Sequence, residues 1–206
     1  MNDGPAADER RQHVFAFLFC SLDGYHEGPG GEVDWGLHDE EFFDWNLRQT
    51  REVGALLLGR RTHEHFAEVW TAPATAERLP EVTAFMNAVP KTVVTGGGQV
   101  TPWEGTRVTD GGDLPGEVER LRRESAGDVA VFGSSGLTAT LLEQGLVDEL
   151  RILLHPVLLG GGRSLFAGLR ERVDLTAGAV TVFRSGNVLL RYRPSGPAAP
   201  PREPVA

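Results

Sequence analysis

Between Val129 and Gly162 the chain reads apolar run, glycine turn, helix, apolar run, and few folds accept that order. Val129 to Phe132 is short and continuously apolar, the pattern of a buried strand. Gly133-Ser134-Ser135-Gly136 turns the chain, Leu137, Leu141 and Leu142 recur at helical spacing, and Gly145 stops the helix. Leu150 to Leu159 restores the strand pattern. Strand, turn, helix and strand in so short a span make a parallel βαβ unit with a right-handed crossover. The first turn aims free N–H groups from a helix N-terminus, which suits a phosphate or merely closes a turn.

The rest of the chain repeats the alternation. Val14 to Cys20 is a nearly continuous apolar strand, expected at the sheet centre. Ser21-Leu22-Asp23-Gly24-Tyr25 leaves it, and a loop with Gly28, Pro29, Gly30 and Gly31 follows, either a plain connection or a lid. A helix is expected from His38 or Asp39 to about Glu52, with acids in its first turn. Val53 to Leu58 is a second buried strand, and Arg60-Arg61-Thr62-His63-Glu64 opens a short helix after Gly59. Residues 71–80 are expected as loop and Glu81 to Ala88 as helix. Lys91 to Thr95 and Thr106 to Thr109 read as strands, and Gly96-Gly97-Gly98 follows the former. Leu114 to Ser125 is an amphipathic helix whose ERLRRE positions are expected in water. Ala179 to Phe183 and Val188 to Tyr192 form a hairpin around Ser185-Gly186-Asn187. The expected fold is α/β, a mixed, mostly parallel sheet with helices on both faces. Residues 12–193 form one domain; residues 1–11 and the Pro-rich 194–206 are expected to be disordered tails.

The totals exclude some functions. A net charge of −9 argues against a general nucleic-acid binder, which needs a basic face. The single cysteine, Cys20, forbids an internal disulfide and fits a reducing compartment. The apolar run after Arg10-Arg11 is short and lacks a cleavage pattern, so it is not read as a signal peptide, and no run approaches the about 18 residues of a membrane span. A cytoplasmic protein with no membrane or nucleic-acid partner is expected.

Three strands end in glycine turns, at Gly59, Gly96 and Gly133. In an open α/β sheet such ends form the ligand crevice. Arg60 and Arg61 at a helix start match phosphate chemistry, though a solvated basic turn looks the same. No G-x-G-x-x-G with a following acid and no Walker A sequence is present. His63-Glu64-His65 carries no metal expectation, because i and i+2 imidazoles diverge on a helix. His155-Pro156 reads as core or dimer surface, Pro156 marking an edge or bulge.

SLDGY, GRRTHEHF, KTVVTGG, VFGSSGLTATLL and GLVDELRILLHPVLLGGG occur in one order. Together they resemble the dihydrofolate-reductase-like proteins related to the C-terminal reductase domain of the riboflavin-biosynthesis enzyme RibD, over about residues 13–193. The resemblance implies a three-layer α/β/α sandwich, NADPH as cofactor, a small-molecule substrate and a homodimer. It assigns Gly59, Arg60, Arg61 and Thr62 to the phosphates, and Thr95 with Gly96 to the adenosine 2′-phosphate. It implies that Gly133, Ser134, Ser135, Gly136 and Leu137, with Thr138 nearby, meet the pyrophosphate, Ser134 standing where relatives often carry a second glycine. On the same resemblance the loop after the first strand is a lid beside the nicotinamide, with Ser21 and Asp23 expected at its base.

Trp35-Gly36-Leu37-His38-Asp39-Glu40 matches the W-x-L-x-x-[DE] spacing of dihydrofolate reductases, which makes Glu40 the candidate acid; the alternative is that Asp39, Glu40 and Glu41 are only helix-start charges. The resemblance thus implies an NADPH-dependent reductase acting on a pyrimidine- or pteridine-like ring, with Glu40 and Asp23 as candidate catalytic groups. A nucleotide-binding or regulatory homodimer that kept the fold without the chemistry is the alternative.

Overall fold

The computed structural model describes residues 11–195. Ten strands and six helices follow in chain order: β1 (Val14–Ser21), β2 (Tyr25–Glu27), α1 (Glu40–Thr50), β3 (Val53–Gly59), α2 (Arg60–Thr71), α3 (Pro73–Arg78), α4 (Pro80–Ala88), β4 (Lys91–Val94), β5 (Thr106–Thr109), α5 (Leu114–Glu124), β6 (Asp128–Phe132), α6 (Ser135–Glu143), β7 (Glu149–His155), β8 (Arg163–Ser164), β9 (Asp174–Val182) and β10 (Val188–Ser195).

Eight strands make one sheet in the order β5-β4-β3-β6-β1-β7-β10-β9. The six from β5 to β7 are parallel, and β10 and β9 close the sheet antiparallel. The expected mixed, mostly parallel sheet is therefore what forms. The βαβ unit that constrained the fold does not pair its own strands. β6 and β7 flank β1, which lies between them.

Alternation along β1 builds both cores. Val14, Ala16, Leu18 and Cys20 face one side, packed with Val118 and Leu121 of α5 and Leu141 of α6. Phe15 and Phe17 face the other, packed with Phe42 of α1, Ala67 of α2 and Val82 and Met86 of α4. Helices thus cover both faces of the sheet, giving three layers.

Several local expectations are corrected. Residues 71–80 are largely helical, not loop, because Pro73 and Pro80 each sit at the start of a helix, where a missing N–H costs nothing. The strand expected to Leu159 stops at His155. β7 is internal, so Pro156 ends a strand and marks no sheet edge. Arg122 of the ERLRRE run is buried, donating to the Gln12 carbonyl at 2.8 Å and to Asp148 at 2.7 Å. β9 begins five residues before Ala179, and β10 runs through Pro194 to Ser195. The remainder of both expected tails lies outside the described residues.

Lys91 is buried in β4, where its ammonium donates to the carbonyls of Asn87, Val89 and Glu104 at 3.2, 2.7 and 3.1 Å and lies 4.3 Å from the Trp103 ring. No described helix is long and apolar enough to cross a membrane.

Candidate functional site

The parallel strands bring Ser21, Gly59, Val94, Phe132 and His155 to one edge of the sheet as their last residues. Chain direction reverses around β1 and β6, which is where an open α/β sheet forms its crevice.

The turns after β3 and β6 are fused. The Gly59 N–H donates to Ser134 Oγ at 2.9 Å, and the Ser134 N–H donates to Thr62 Oγ1 at 3.1 Å. Gly133 and Ser134 are both left-handed, with φ of 62° and 54°. A side chain at Gly133 would be strained by that φ and would crowd Thr62, a Cβ there lying 3.2 Å from Thr62 Cγ2. Ser134 is the sole non-glycine with positive φ among the described residues. Such a conformation costs about 1 kcal/mol, offset here by the two hydrogen bonds. The place of the missing second glycine is thus taken by a hydroxyl that ties two strands together. Gly136 lies exposed on the first turn of α6, with open space around its α-carbon. Leu137 packs partly into the core. Thr138 is fully buried and its hydroxyl reaches the Gly133 carbonyl at 3.4 Å, so it supports the turn from inside.

The turn after β4 joins from the other side. Thr95 Oγ1 donates to the Gly97 carbonyl at 2.9 Å, and Arg60 Nη1 donates to the same carbonyl at 3.3 Å. Arg60 Nε also donates to Glu64 at 2.7 Å. Gly96 beside them has nothing within 4 Å of a would-be Cβ.

Ser21 is buried, and its hydroxyl donates to Asp23 Oδ1 at 2.6 Å while accepting from the Tyr25 N–H at 2.9 Å. Asp23 also accepts from the N–H groups of Leu159 and Gly160, at 3.1 and 2.7 Å. The Ser21 hydroxyl first, and then those backbone donors, hold its carboxyl below the usual carboxylate range. Both residues are engaged in tying the end of β1 to the loop after β7.

A two-stranded ribbon that the sequence reading missed covers the fused turns. β2 pairs with β8, Tyr25 opposite Ser164 and Glu27 opposite Arg163. Gly162 makes the pairing possible, because a Cβ there would lie 2.1 Å from the Glu27 carbonyl oxygen. His26 Nε2 lies 2.9 Å from Ser135 Oγ at the start of α6, and burial pushes its imidazole below the ordinary histidine range. Glu27 lies 3.6 Å from Arg61 of α2 and 4.0 Å from Arg163. The loop expected as connection or lid turns tightly beyond the ribbon, Gly28 donating to the Glu32 carbonyl at 2.9 Å.

The far side of the crevice is aromatic and acidic. From Ser21 to Leu47 there is no lysine or arginine. His155 is buried with its ring 5.3 Å from Trp35, 5.2 Å from Phe19 and 5.7 Å from His38. Its Nδ1 accepts the Leu37 N–H at 3.1 Å, which puts the proton of the neutral ring on Nε2. Burial, then the neighbouring His38, pushes its pKa down to about 4. Asn187 donates to the Leu37 carbonyl at 2.8 Å, so the Trp35–Asp39 segment is held from both sides. Asp39 caps α1, accepting from Phe42 at 2.8 Å and from the Ser185 N–H at 3.1 Å. Glu41 accepts from the Arg184 N–H at 2.8 Å. Glu40, between them, is exposed on the first residue of α1. The sequence marks His155 as core or dimer surface, and nothing local links it to Leu37, 118 positions away.

His63 is buried with Nε2 3.1 Å from Thr106 Oγ1, whereas His65 is exposed, so the two imidazoles diverge. No group of three or more potential metal ligands occurs among the described residues. A groove of about 570 Å³ between α2 and Thr101-Pro102 carries Glu64 and Glu68 and lies off the strand ends, a poor match for phosphate.

The family described as the RibD C-terminal domain matches residues 12–189. The chain is 26% identical over 189 residues to the uncharacterized protein YyaP of Bacillus subtilis, covering 91% of this chain and 97% of that protein. A putative riboflavin biosynthesis protein from Shewanella superposes with a TM-score of 0.68 at 20% identity, over 89% of this chain and 99% of that one. The diaminohydroxyphosphoribosylaminopyrimidine deaminase/5-amino-6-(5-phosphoribosylamino)uracil reductase of Thermotoga maritima superposes with a TM-score of 0.67 at 17% identity, over 91% of this chain and 58% of that one. At these identities the structural likeness speaks for the fold alone.

Proposed function

This chain belongs to the RibD C-terminal domain family, and from that premise we propose that it is an NADPH-dependent reductase of a small pyrimidine- or pteridine-like heterocycle. The observation that carries the reading is the fusion of two glycine turns through Gly59 and Ser134, with Arg60 and Arg61 beginning the helix beside them. The bare backbone at Gly96 and Gly136, with room around both, fits close approach of phosphate oxygens.

The chemistry that a bound NADPH supplies is hydride donation to a C=N or C=O carbon, balanced by one proton on the nitrogen or oxygen. Gly59, Arg61, Thr62 and the Gly133–Leu137 turn hold the pyrophosphate. Arg60, Thr95 and Gly96 meet the 2′-phosphate. Ser21 and Asp23 fix the base of the lid, and the lid excludes water. Glu40 delivers the proton, directly or through a water. Its neighbours Asp39 and Glu41 are bonded to consecutive N–H groups of the β9–β10 turn, which fixes the helix start that carries it.

Exposed Val180 and Val182 on the edge strand β9 support a homodimer, to be read by sedimentation. Buried, unpaired Cys20 accords with a cytoplasmic setting. One observation favours the alternative of a non-catalytic nucleotide-binding or regulatory homodimer: the Asp23 carboxylate is already occupied by three donors.

Thermal unfolding with NADPH, with NADH and with neither is the deciding test. A ligand at 100 times its Kd adds about 2.7 kcal/mol. Absence of any NADPH-dependent stabilisation at millimolar concentration sinks the reading. Stabilisation without turnover on a panel of pterins and aminopyrimidines favours the alternative.

A further inference from the structure

Two arginines from distant parts of the chain converge on one carboxylate above the fused turns. Arg61 belongs to the first turn of α2, Arg163 to β8, and Glu27 of β2 lies 3.6 and 4.0 Å from them. The neighbouring His26 holds Ser135 Oγ at 2.9 Å. β2 therefore touches the starts of both helices that flank the fused turns. Its carboxylate occupies the place where an anion meets those arginines.

The ion pairs are weak ones. Both distances are long, and the Arg61 and Arg163 side chains are 69% and 50% exposed. Pairs of this kind contribute little and are screened by salt. A phosphate offers more: several oxygens, a full charge and short charge-assisted bonds to guanidinium forks. Glu27 is the reverse case, with only 18% of its side chain exposed and, besides the two arginines, only His26 Nδ1 near it, at 3.9 Å. An arriving phosphate therefore exchanges loose contacts for close ones at the arginines and displaces the carboxylate.

Resting on the cofactor reading above, we propose that Arg163 is a further pyrophosphate ligand, carried in by the β2–β8 ribbon, and that Glu27 is the internal anion holding Arg61 and Arg163 until the cofactor arrives. The contact is to the pyrophosphate, which NADPH and NADH share. Selection between the two cofactors stays with Arg60, on the opposite side of the fused turns, where it reaches Gly97.

The test is the Kd of the full chain for NADPH, NADH and ADP-ribose, by quenching of tryptophan fluorescence, in wild type and three variants. Glu27→Gln keeps the shape of the side chain and is expected to tighten all three by a similar factor, about three- to tenfold. Arg163→Gln is expected to weaken all three about tenfold, and Arg163→Lys to restore most of the loss. Unchanged or weakened binding in Glu27→Gln overturns the proposal while leaving the cofactor reading intact. So does an Arg163→Gln effect confined to NADPH. If neither wild type nor Glu27→Gln binds any of the three, the cofactor reading fails, and this proposal with it.

Discussion

The main-chain N–H of Gly59 donates to Ser134 Oγ at 2.9 Å, across 75 positions of sequence, so the turns after two adjacent parallel strands move as one. Ser134 holds this bond from a left-handed backbone. Ser134→Ala keeps the strain and leaves the Gly59 N–H without its partner, a loss of about 1–2 kcal/mol. Ser134→Gly loses the same bond but relieves the backbone by about 1 kcal/mol. Denaturant unfolding should therefore rank wild type above Ser134→Gly, and that above Ser134→Ala. Equal stability of the two variants would remove strain from the account.

Arg60 should decide cofactor choice. Arg60→Gln removes a guanidinium beside the β4 turn without touching the Gly59–Ser134 bond. NADPH affinity should drop about tenfold, the worth of one charge-assisted contact, with NADH affinity unchanged. Titration of both nucleotides checks it; an equal loss for both places Arg60 elsewhere.

The three acids at the start of α1 should separate by role. Asp39→Ala removes the cap bond to Phe42 and should lower the unfolding midpoint. Glu40→Gln should leave both stability and NADPH affinity in place and lower kcat by about a hundredfold. Turnover unchanged in Glu40→Gln returns that residue to the status of a helix-start charge.

His155 makes stability depend on pH in a definite window. Its pKa falls from 6.5 to about 4 on folding, so between those values the unfolded chain binds a proton that the folded chain does not. The stability this group contributes is therefore present above pH 6.5 and is lost as pH falls toward 4. His26, His38 and His63 are pushed down by burial as well and share the window, so urea unfolding at pH 7.5 and 4.5 should show a drop that His155→Gln reduces without abolishing. Asp23 and Asp39, held low, lose their contributions only at pH values further down. An undiminished slope in His155→Gln assigns the window to the other buried histidines alone.

The sheet was legible because continuous apolar runs such as Val14–Cys20 and Val53–Leu58 need no partner to be recognised. The glycine turns were legible for the same local reason. The β2–β8 ribbon was not: its strands have three and two residues, too few for periodicity, and each exists only through the other, more than a hundred positions away. The helices that start at Pro73 and Pro80 are not legible within 71–80, since proline at a first helical turn and proline in a loop look alike without a following pattern. Arg122 was expected in water because charge normally is; its burial depends on Asp148 and the Gln12 carbonyl, neither of which is near in sequence. On the site, the residues around Gly59, Thr95 and Gly133 were readable one by one. Their links to each other, and those of His155, Asn187 and Glu27, are long-range and left no local trace.

The hairpin turn at residues 183–187 grips the Leu37–Glu41 segment through Asn187, Ser185 and Arg184. A ribosome makes the first of these segments about 150 residues before the second, as the 146 positions between Asp39 and Ser185 record. The glycine turns that surround Gly59 and Gly133 are all synthesised before the hairpin emerges. The acid-bearing end of α1 must wait for it. Assembly thus has an order built into the chain: the fused glycine turns are complete in covalent terms first, and the start of α1 is finished by the β9–β10 hairpin, made later.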